Sequence, residues 1–277
     1  MKTSKCTSEC IFTRKFTKKQ KQAHFGKGNK SIFPNNVKPD LNDIKVTYPE
    51  NSNQDIEMDL GKNMANRFVL YYGAQKKNLV NYNKVKPNHK AYGKFPNRGI
   101  AKSDRDGKVR LKFRCPQVYK EAGITVVPHV HYIVADKNNK KWIEKLEVQE
   151  VICHITHQEL KNMISKRCAI ILNALPVEYY IKDRIPMSVP LPHNLDLNPK
   201  EIKYYIKSVL PHAPVINRAV QKGKLDLLDI PIVSYCYDEN CGADSHLQNK
   251  LKEIGFKNVK LYSLGIQGYR KKEKRSL

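Results

Sequence analysis

No stretch of this chain comes near the roughly twenty consecutive apolar residues that cross a bilayer, and the N-terminus has no apolar signal core. A soluble, intracellular protein with no membrane span is expected. Glycine is scarce, at 13 of 277 residues, and tryptophan occurs once, at Trp142, which reads as a packing anchor. Acidic residues are the minority charge: 26 Asp and Glu against 51 Lys and Arg leave a net +25 at pH 7. Such a field suits polyanions, whether nucleic acid, phosphoprotein or anionic lipid, and nothing in the charge selects among them. The seven cysteines are odd in number and unevenly spread, which excludes the disulfide framework of a small secreted domain and makes reduced thiols the expectation.

What is present divides the chain into three parts. Residues 1–62 are basic, then polar and Asn-rich, with Pro34, Pro39 and Pro49 and little apolar periodicity, and so read as a disordered arm. Within it Arg14, Lys15, Lys18, Lys19 and Lys21, dotted with Phe12, Phe16 and Phe25, suit contact with nucleic acid or serve as a solvated tail. Cys6 and Cys10 have no second pair nearby, too few ligands for zinc. Over 63–152 the pattern changes to short alternating runs: Phe68 to Tyr72, Lys108 to Phe113, and Val130 to Val134. A hairpin-type turn, Asp104-Arg105-Asp106-Gly107, precedes the second. These predict a small antiparallel β-sandwich.

The third part, 153–277, carries the clearest chemistry. Ile230 to Cys236 reads as a buried strand, Tyr237 to Gly242 as a loop, and Leu247, Leu251 and Ile254 as the apolar face of a helix. A thiol at a strand exit beside a helix start lies among free backbone N–H groups and the positive end of the dipole, surroundings that lower its pKa and can hold an anion. Cys236 is therefore the candidate nucleophile, although Asp238 and Glu239 beside it work against ionisation and repel a small anionic donor. Cys241 reads either as a resolving thiol or as a small residue packed under the helix start. Ile202, Tyr205, Ile206 and Val209, following Asn198-Pro199, predict a helix with one core face, and Arg270 to Lys274 with Arg275 predict a basic tail beyond the last helix.

Several of these segments, in this order, resemble the rhodanese family. The strand-Tyr235-Cys236-loop, the connection Gly255-Phe256-Lys257-Asn258-Val259 and the closing Gly265-Ile266 with Tyr269 resemble its second half. Ile155 to Leu160, Ala169 to Asn173 and Arg184 to Pro192 resemble its first. The resemblance implies an α/β domain with a central parallel sheet and Cys236 as a nucleophile that carries sulfane sulfur as a persulfide. Cys241 would then be its resolving partner, and the donor a sulfur-carrying molecule or a thiol protein.

In the second part, Pro128-His129-Val130-His131-Tyr132, together with Gly99 to Gly107 and Pro116 to Tyr119, is similar to the core of the intradiol ring-cleaving dioxygenases. Alternate strand residues face one side, so His129 and His131 can reach a common ion or a common hydrogen-bonding partner. The family resemblance implies ferric iron held by two histidines and two tyrosines, with Tyr119 in the place of one tyrosine and Tyr92 or Tyr82 available for the other. A sandwich that keeps the strands without a metal is the alternative.

The expected fold class is α+β overall: an antiparallel β-sandwich followed by a rhodanese-like α/β domain. The expected function is sulfur transfer or thiol-redox chemistry through a persulfide on Cys236. The alternative is a catalytically idle, basic structural or nucleic-acid-associated protein. Lys- and Asn-rich, glycine-poor composition would suit a packaged virion protein of an AT-rich genome.

Overall fold

The computed structural model describes residues 37–75, 86–121 and 123–274, the side chains of 86–89 excepted. Cys6, Cys10, Tyr82, Arg275 and the basic cluster of the arm lie outside the described residues. The described residues divide into two compact units, one ending at Ile152 and the other beginning at Cys153. Among the described residues no helix is long and apolar enough to cross a membrane.

The unit ending at Ile152 is built from antiparallel sheets. Strand β1 (Gln54–Asp59) pairs with β5 (Lys108–Phe113), placing Ile56 opposite Leu111 and Met58 opposite Val109. Both strands alternate buried and exposed residues, the mark of one face on the core and one in water. A four-stranded antiparallel sheet runs in the order β4 (Arg98–Lys102), β2 (Phe68–Gly73), β8 (His129–Val134), β9 (Glu147–Glu150). The fully buried Tyr71 of β2 donates its hydroxyl to the Lys112 carbonyl of β5, joining the two sheets. A third sheet holds β3 (Lys86–Pro87), β6 (Tyr119–Glu121) and β7 (Ile124–Val126); its two-residue β3–β6 pair is parallel. A single helical turn, α1 (Asn88–Ala91), follows β3.

Three expectations need correction here. The arm expected over 1–62 ends earlier, because Val37 and Leu41 are buried and β1 belongs to the sheets. With only Ile56 and Met58 as apolar residues, its period-two pattern is easily lost among charges. The 104–107 turn does form, Asp104 accepting from the amides of Asp106 and Lys108, yet its flanking strands pair in different sheets. Gly107 is required there, since it has φ +83° and an added Cβ would lie 2.0 Å from the Gly61 carbonyl oxygen. Trp142 packs on the apolar cluster of Leu70, Tyr72 and Ile133 and donates its indole N–H to Pro39. Cys115 is disulfide-bonded, against the expectation of reduced thiols; pairing is set by approach in space, which spacing along the chain does not reveal.

The second unit holds a parallel sheet in the order β11 (Ser188–Pro190), β10 (Ile170–Asn173), β12 (Ile232–Tyr235), β13 (Val259–Leu261). Every residue of β10 and β12 is buried, as befits central strands covered on both faces. The helices are α2 (His157–Lys166), α3 (Val177–Lys182), α4 (Pro199–Ser208), α5 (Pro214–Gln221), α6 (Ala243–Ile254) and α7 (Gly265–Lys274). Thr156 with Glu159 and Asn198 with Glu201 form capping boxes that start α2 and α4, satisfying amides that have no helical partner. Helix α4 buries Ile202 and Ile206 as its spacing predicts, each worth about 1.5–3 kcal/mol of burial. Gly255 closes α6 in the left-handed conformation, before β13. The basic residues 270–274 are not a tail but the last turns of α7, where Arg270 reaches across to Asp183. Cys153 is disulfide-bonded too, whereas Cys168, Cys236 and Cys241 are free.

Candidate functional sites

At the carboxyl end of β12 the chain leaves the sheet at Cys236 and re-enters helix at Ala243. The loop between is held from two sides. Asp238 forms a local turn, its carboxylate accepting from the Asn240 amide at 3.0 Å. The first amides of α7 bind the loop's carbonyls, Ile266 to Cys236 and Gln267 to Tyr237, each at 3.0 Å. That contact explains Gly265, which has φ +59° and would put a Cβ 2.4 Å from the Tyr237 carbonyl.

The two loop thiols meet different surroundings. Cys236 has no exposed surface, and its thiol donates to the carbonyls of Cys241 at 3.0 Å and Asp238 at 3.4 Å. Its hydrogen bond to Cys241, its burial and the Asp244 charge all push its pKa far above the ordinary thiol value, while the Asp244 amide opposes them. Cys241 is partly exposed, and its pKa is pulled down to about 6. The Cys236 thiol is the largest cause, and the amides of Tyr237 and Ala243 add to it against burial and the Asp238 charge. No amide cradle encloses the Cys236 sulfur, whose contacts are carbonyls. Asp244, which the sequence reading passed over, is 3 % exposed. Burial pushes its carboxyl up to about 6, against the Ser245 amide, which donates to it at 2.8 Å. Glu239, expected to disturb the thiol, is exposed to solvent.

Below the loop lies a neutral polar network. The Tyr235 hydroxyl accepts from Asn173 Nδ2 and from the Ile185 amide, each at 3.0 Å, and sits 2.8 Å from Ser188 Oγ. Ser188 Oγ donates to the Ile185 carbonyl, so the tyrosine proton goes to Ser188. All three side chains are buried, and the network ties β10, β11 and β12 together directly beneath Cys236.

The other unit assembles a second cluster. Four polar atoms from α1's end, β6 and β8 converge. Tyr92 Oη is 2.7 Å from Tyr119 Oη, 2.9 Å from His131 Nε2 and 3.3 Å from His129 Nε2. Tyr119 Oη is 3.0 Å from His129 Nε2, and the two Nε2 atoms are 3.1 Å apart. His129 Nδ1 lies 2.6 Å from the Val127 carbonyl; donating there leaves its Nε2 lone pair pointing into the cluster. Tyr72 stacks on His131 with ring centroids 4.8 Å apart. Tyr119, His129 and His131 are buried, and burial raises both phenols far above the ordinary tyrosine value. The two histidines and Tyr119 that the sequence singled out lie side by side, and Tyr92 is the second tyrosine that joins them. Among the described residues no three His, Cys, Asp or Glu side chains gather at a metal-binding spacing.

Residues 156–272 match the family model of the Rhodanese-like domain. No curated protein matches the chain. Among solved structures, the BH2092 protein of Bacillus halodurans is 21 % identical over 44 % of this chain and 73 % of its own, with a TM-score of 0.33. The human single-domain sulfurtransferase TSTD1 is 14 % identical over 43 % and 96 %, with a TM-score of 0.30. An uncharacterised protein from Saccharomyces cerevisiae is 14 % identical over 46 % and 97 %, with a TM-score of 0.33. With its parallel sheet, its strand-cysteine-loop-helix and its family match together, the segment 156–272 of this chain is a rhodanese-like domain.

Proposed function

We propose that the rhodanese-like domain transfers sulfur or exchanges disulfides through a pair of thiols, Cys241 meeting the donor and Cys236 acting behind it. One observation carries this reading: Cys241 is partly exposed with its pKa pulled down to about 6, whereas the thiol of Cys236 is sealed and donates to the Cys241 carbonyl. A thiolate, not a thiol, is the nucleophile, and it must be reachable. The order reverses the sequence expectation, in which Cys236 carries the persulfide and Cys241 resolves it.

In sulfur transfer, the Cys241 thiolate attacks the outer sulfur of a persulfide donor. The donor's S–S bond breaks, its thiolate leaves, and Cys241 becomes a persulfide. Cys236 then attacks the inner sulfur of that persulfide, giving a Cys236–Cys241 disulfide and hydrogen sulfide. A dithiol reductant restores both thiols by exchange.

The test is uptake of cyanide-releasable sulfur from a persulfide donor. Wild type is expected to accept sulfur and release sulfide; Cys236→Ser to accumulate a stable persulfide without releasing sulfide; Cys241→Ser to take up none. Uptake by Cys241→Ser but not by Cys236→Ser would contradict the order of the thiols. No uptake by wild type would leave the domain a binding module.

A second reading concerns the other unit. We infer that Tyr92, Tyr119, His129 and His131 hold a transition-metal ion, ferric iron being the one the intradiol resemblance implies. Five of the six spacings among these four atoms lie between 2.7 and 3.3 Å, close enough for the four to approach one ion. Two imidazoles and two phenols also suit iron or copper rather than calcium or magnesium, which prefer carboxylate and carbonyl oxygen. A cation there would offset the burial that holds the phenols neutral; when bound it supplies Lewis acidity and one-electron chemistry. Protein purified without chelator from metal-replete cells is expected to carry about one equivalent of metal, lost in Tyr119→Phe together with His131→Ala. Wild-type protein that stays metal-free and binds none on titration refutes the site.

A further inference from the structure

We propose that Phe95 is the positioning residue that brings the Tyr92 phenol to Tyr119 and the two histidines, an inference that rests on the metal-site reading. Tyr119 stands on β6, and His129 and His131 on β8, so the sheets aim those three side chains. Tyr92 is not on a strand. It lies in the loop between α1 and β4, yet its hydroxyl is within 3.3 Å of the other three polar atoms. A ligand carried on a loop is only as well placed as the residues that hold it.

The loop is pinned at both ends and strained between them. Before Tyr92, the Ala91 carbonyl accepts from the Gln75 amide at 2.8 Å and from Gln117 Nε2 at 3.0 Å. After it, Asn97 has no exposed surface. Its Nδ2 donates to the carbonyls of Ala74 at 3.0 Å and Arg114 at 2.8 Å, and its Oδ1 accepts from the Arg114 amide at 2.9 Å. Between these anchors the Phe95 amide donates to the Tyr92 carbonyl at 3.0 Å, closing a tight turn. Phe95 itself has φ +57°, the left-handed region that a bulky aromatic residue ordinarily avoids. Pro96 follows it, and a residue before proline is ordinarily confined to extended backbone. Gly93, two residues earlier, takes φ +54° without that cost. A side chain kept in so disfavoured a conformation persists only where its surroundings over-determine it, and such positions gather at functional sites.

The ring shows what the strain secures. It stacks on Tyr92 with centroids 6.0 Å apart and planes at 19°, and it meets Tyr72 edge-on at 5.2 Å and 89°. Tyr72, on β2, closes the bracket: it meets Tyr92 at 5.3 Å and stacks on His131 at 4.8 Å. Phe95 therefore holds one member of the cluster directly and supports a second through Tyr72. Phe95→Gly would relieve the backbone but release the phenol. Placing the phenol in advance spares the ion the cost of ordering it.

The probe is ferric ion supplied as its citrate, titrated into the full-length, metal-free protein and followed by the visible charge-transfer band that a phenolate gives on ferric iron. Tyr92→Phe sets the band of a site lacking this phenolate. Phe95→Gly is expected to bind ferric ion about ten- to a hundredfold more weakly than wild type, the usual range for losing a group that orients a ligand. Its band should fall to that of Tyr92→Phe, whereas Phe95→Tyr, which keeps the ring, should restore both affinity and band. Phe95→Leu keeps apolar bulk without a flat ring and should lose the band while still unfolding cooperatively on heating. That combination separates positioning from a merely structural role, in which the band would fall only in step with the fraction unfolded. Such a parallel fall, or wild-type affinity and band in folded Phe95→Gly or Phe95→Leu, overturns the role of Phe95 and leaves the metal site standing. A Tyr92→Phe band equal to that of wild type overturns it as well. Wild-type protein that binds no ferric ion and gives no band overturns the metal-site reading and this inference with it.

Discussion

At the scale of single residues, the two thiols differ because main-chain groups decide which sulfur carries charge. The Tyr237 and Ala243 amides act on Cys241, whereas Cys236 is left to donate to two carbonyls. Removing the Cys236 thiol takes away the largest cause lowering Cys241, so Cys236→Ser should shift the alkylation midpoint of Cys241 upward, as measured from rate against pH. Tyr235 tests the network below. Tyr235→Phe strands the Asn173 amide and the Ile185 N–H, an expected loss of about 1–3 kcal/mol in denaturant unfolding. Cys236 was legible as the residue between strand and loop, because an apolar run and a helix pattern frame it. The ionised sulfur was not, since amide directions do not follow from spacing. Asp244 was hidden because an acidic residue early in a helix reads as a surface partner of the dipole.

At the scale of elements, local signals that a helix carries in its own turns were readable, and contacts made across elements were not. Asn198-Pro199 announced α4, and the capping box with Glu201 is its physical content. Asn198→Ala should cost about 1 kcal/mol, seen as a lowered melting temperature. The basic run of α7 read as a tail because nothing local says that Tyr269 is buried or that Arg270 meets Asp183. That pair is exposed, so Arg270→Ala should cost under about 1 kcal/mol. Asp183 has its pKa lowered chiefly by Arg270; what it contributes is present above the unfolded-state aspartate pKa and is lost as pH falls through the lower folded value. Gly265 makes the larger claim. Gly265→Ala must tolerate positive φ and a Cβ against the Tyr237 carbonyl, so it should cost more than about 1 kcal/mol and slow alkylation of Cys241 by displacing the loop.

At the scale of the whole molecule, the fold class was legible: antiparallel sheets in the N-terminal part, then a parallel sheet with helices in the rhodanese-like part. The early strand β1 was missed for want of apolar residues, and the bonding of Cys115 and Cys153 because approach in space leaves no mark in spacing along the chain. Alkylation of denatured, unreduced protein should label Cys168, Cys236 and Cys241 while sparing Cys115 and Cys153, and full labelling after reduction checks the count. The account's central claim is that Cys241, not Cys236, is the ionised thiol of the rhodanese-like domain. It is tested most directly by iodoacetamide alkylation of the native protein across pH 4 to 10, with each cysteine quantified on the Leu225 to Lys250 peptide. Modification of Cys241 alone, with a midpoint near pH 6, is the expected result; Cys236 modified first, or Cys241 titrating at the ordinary thiol value, would contradict it.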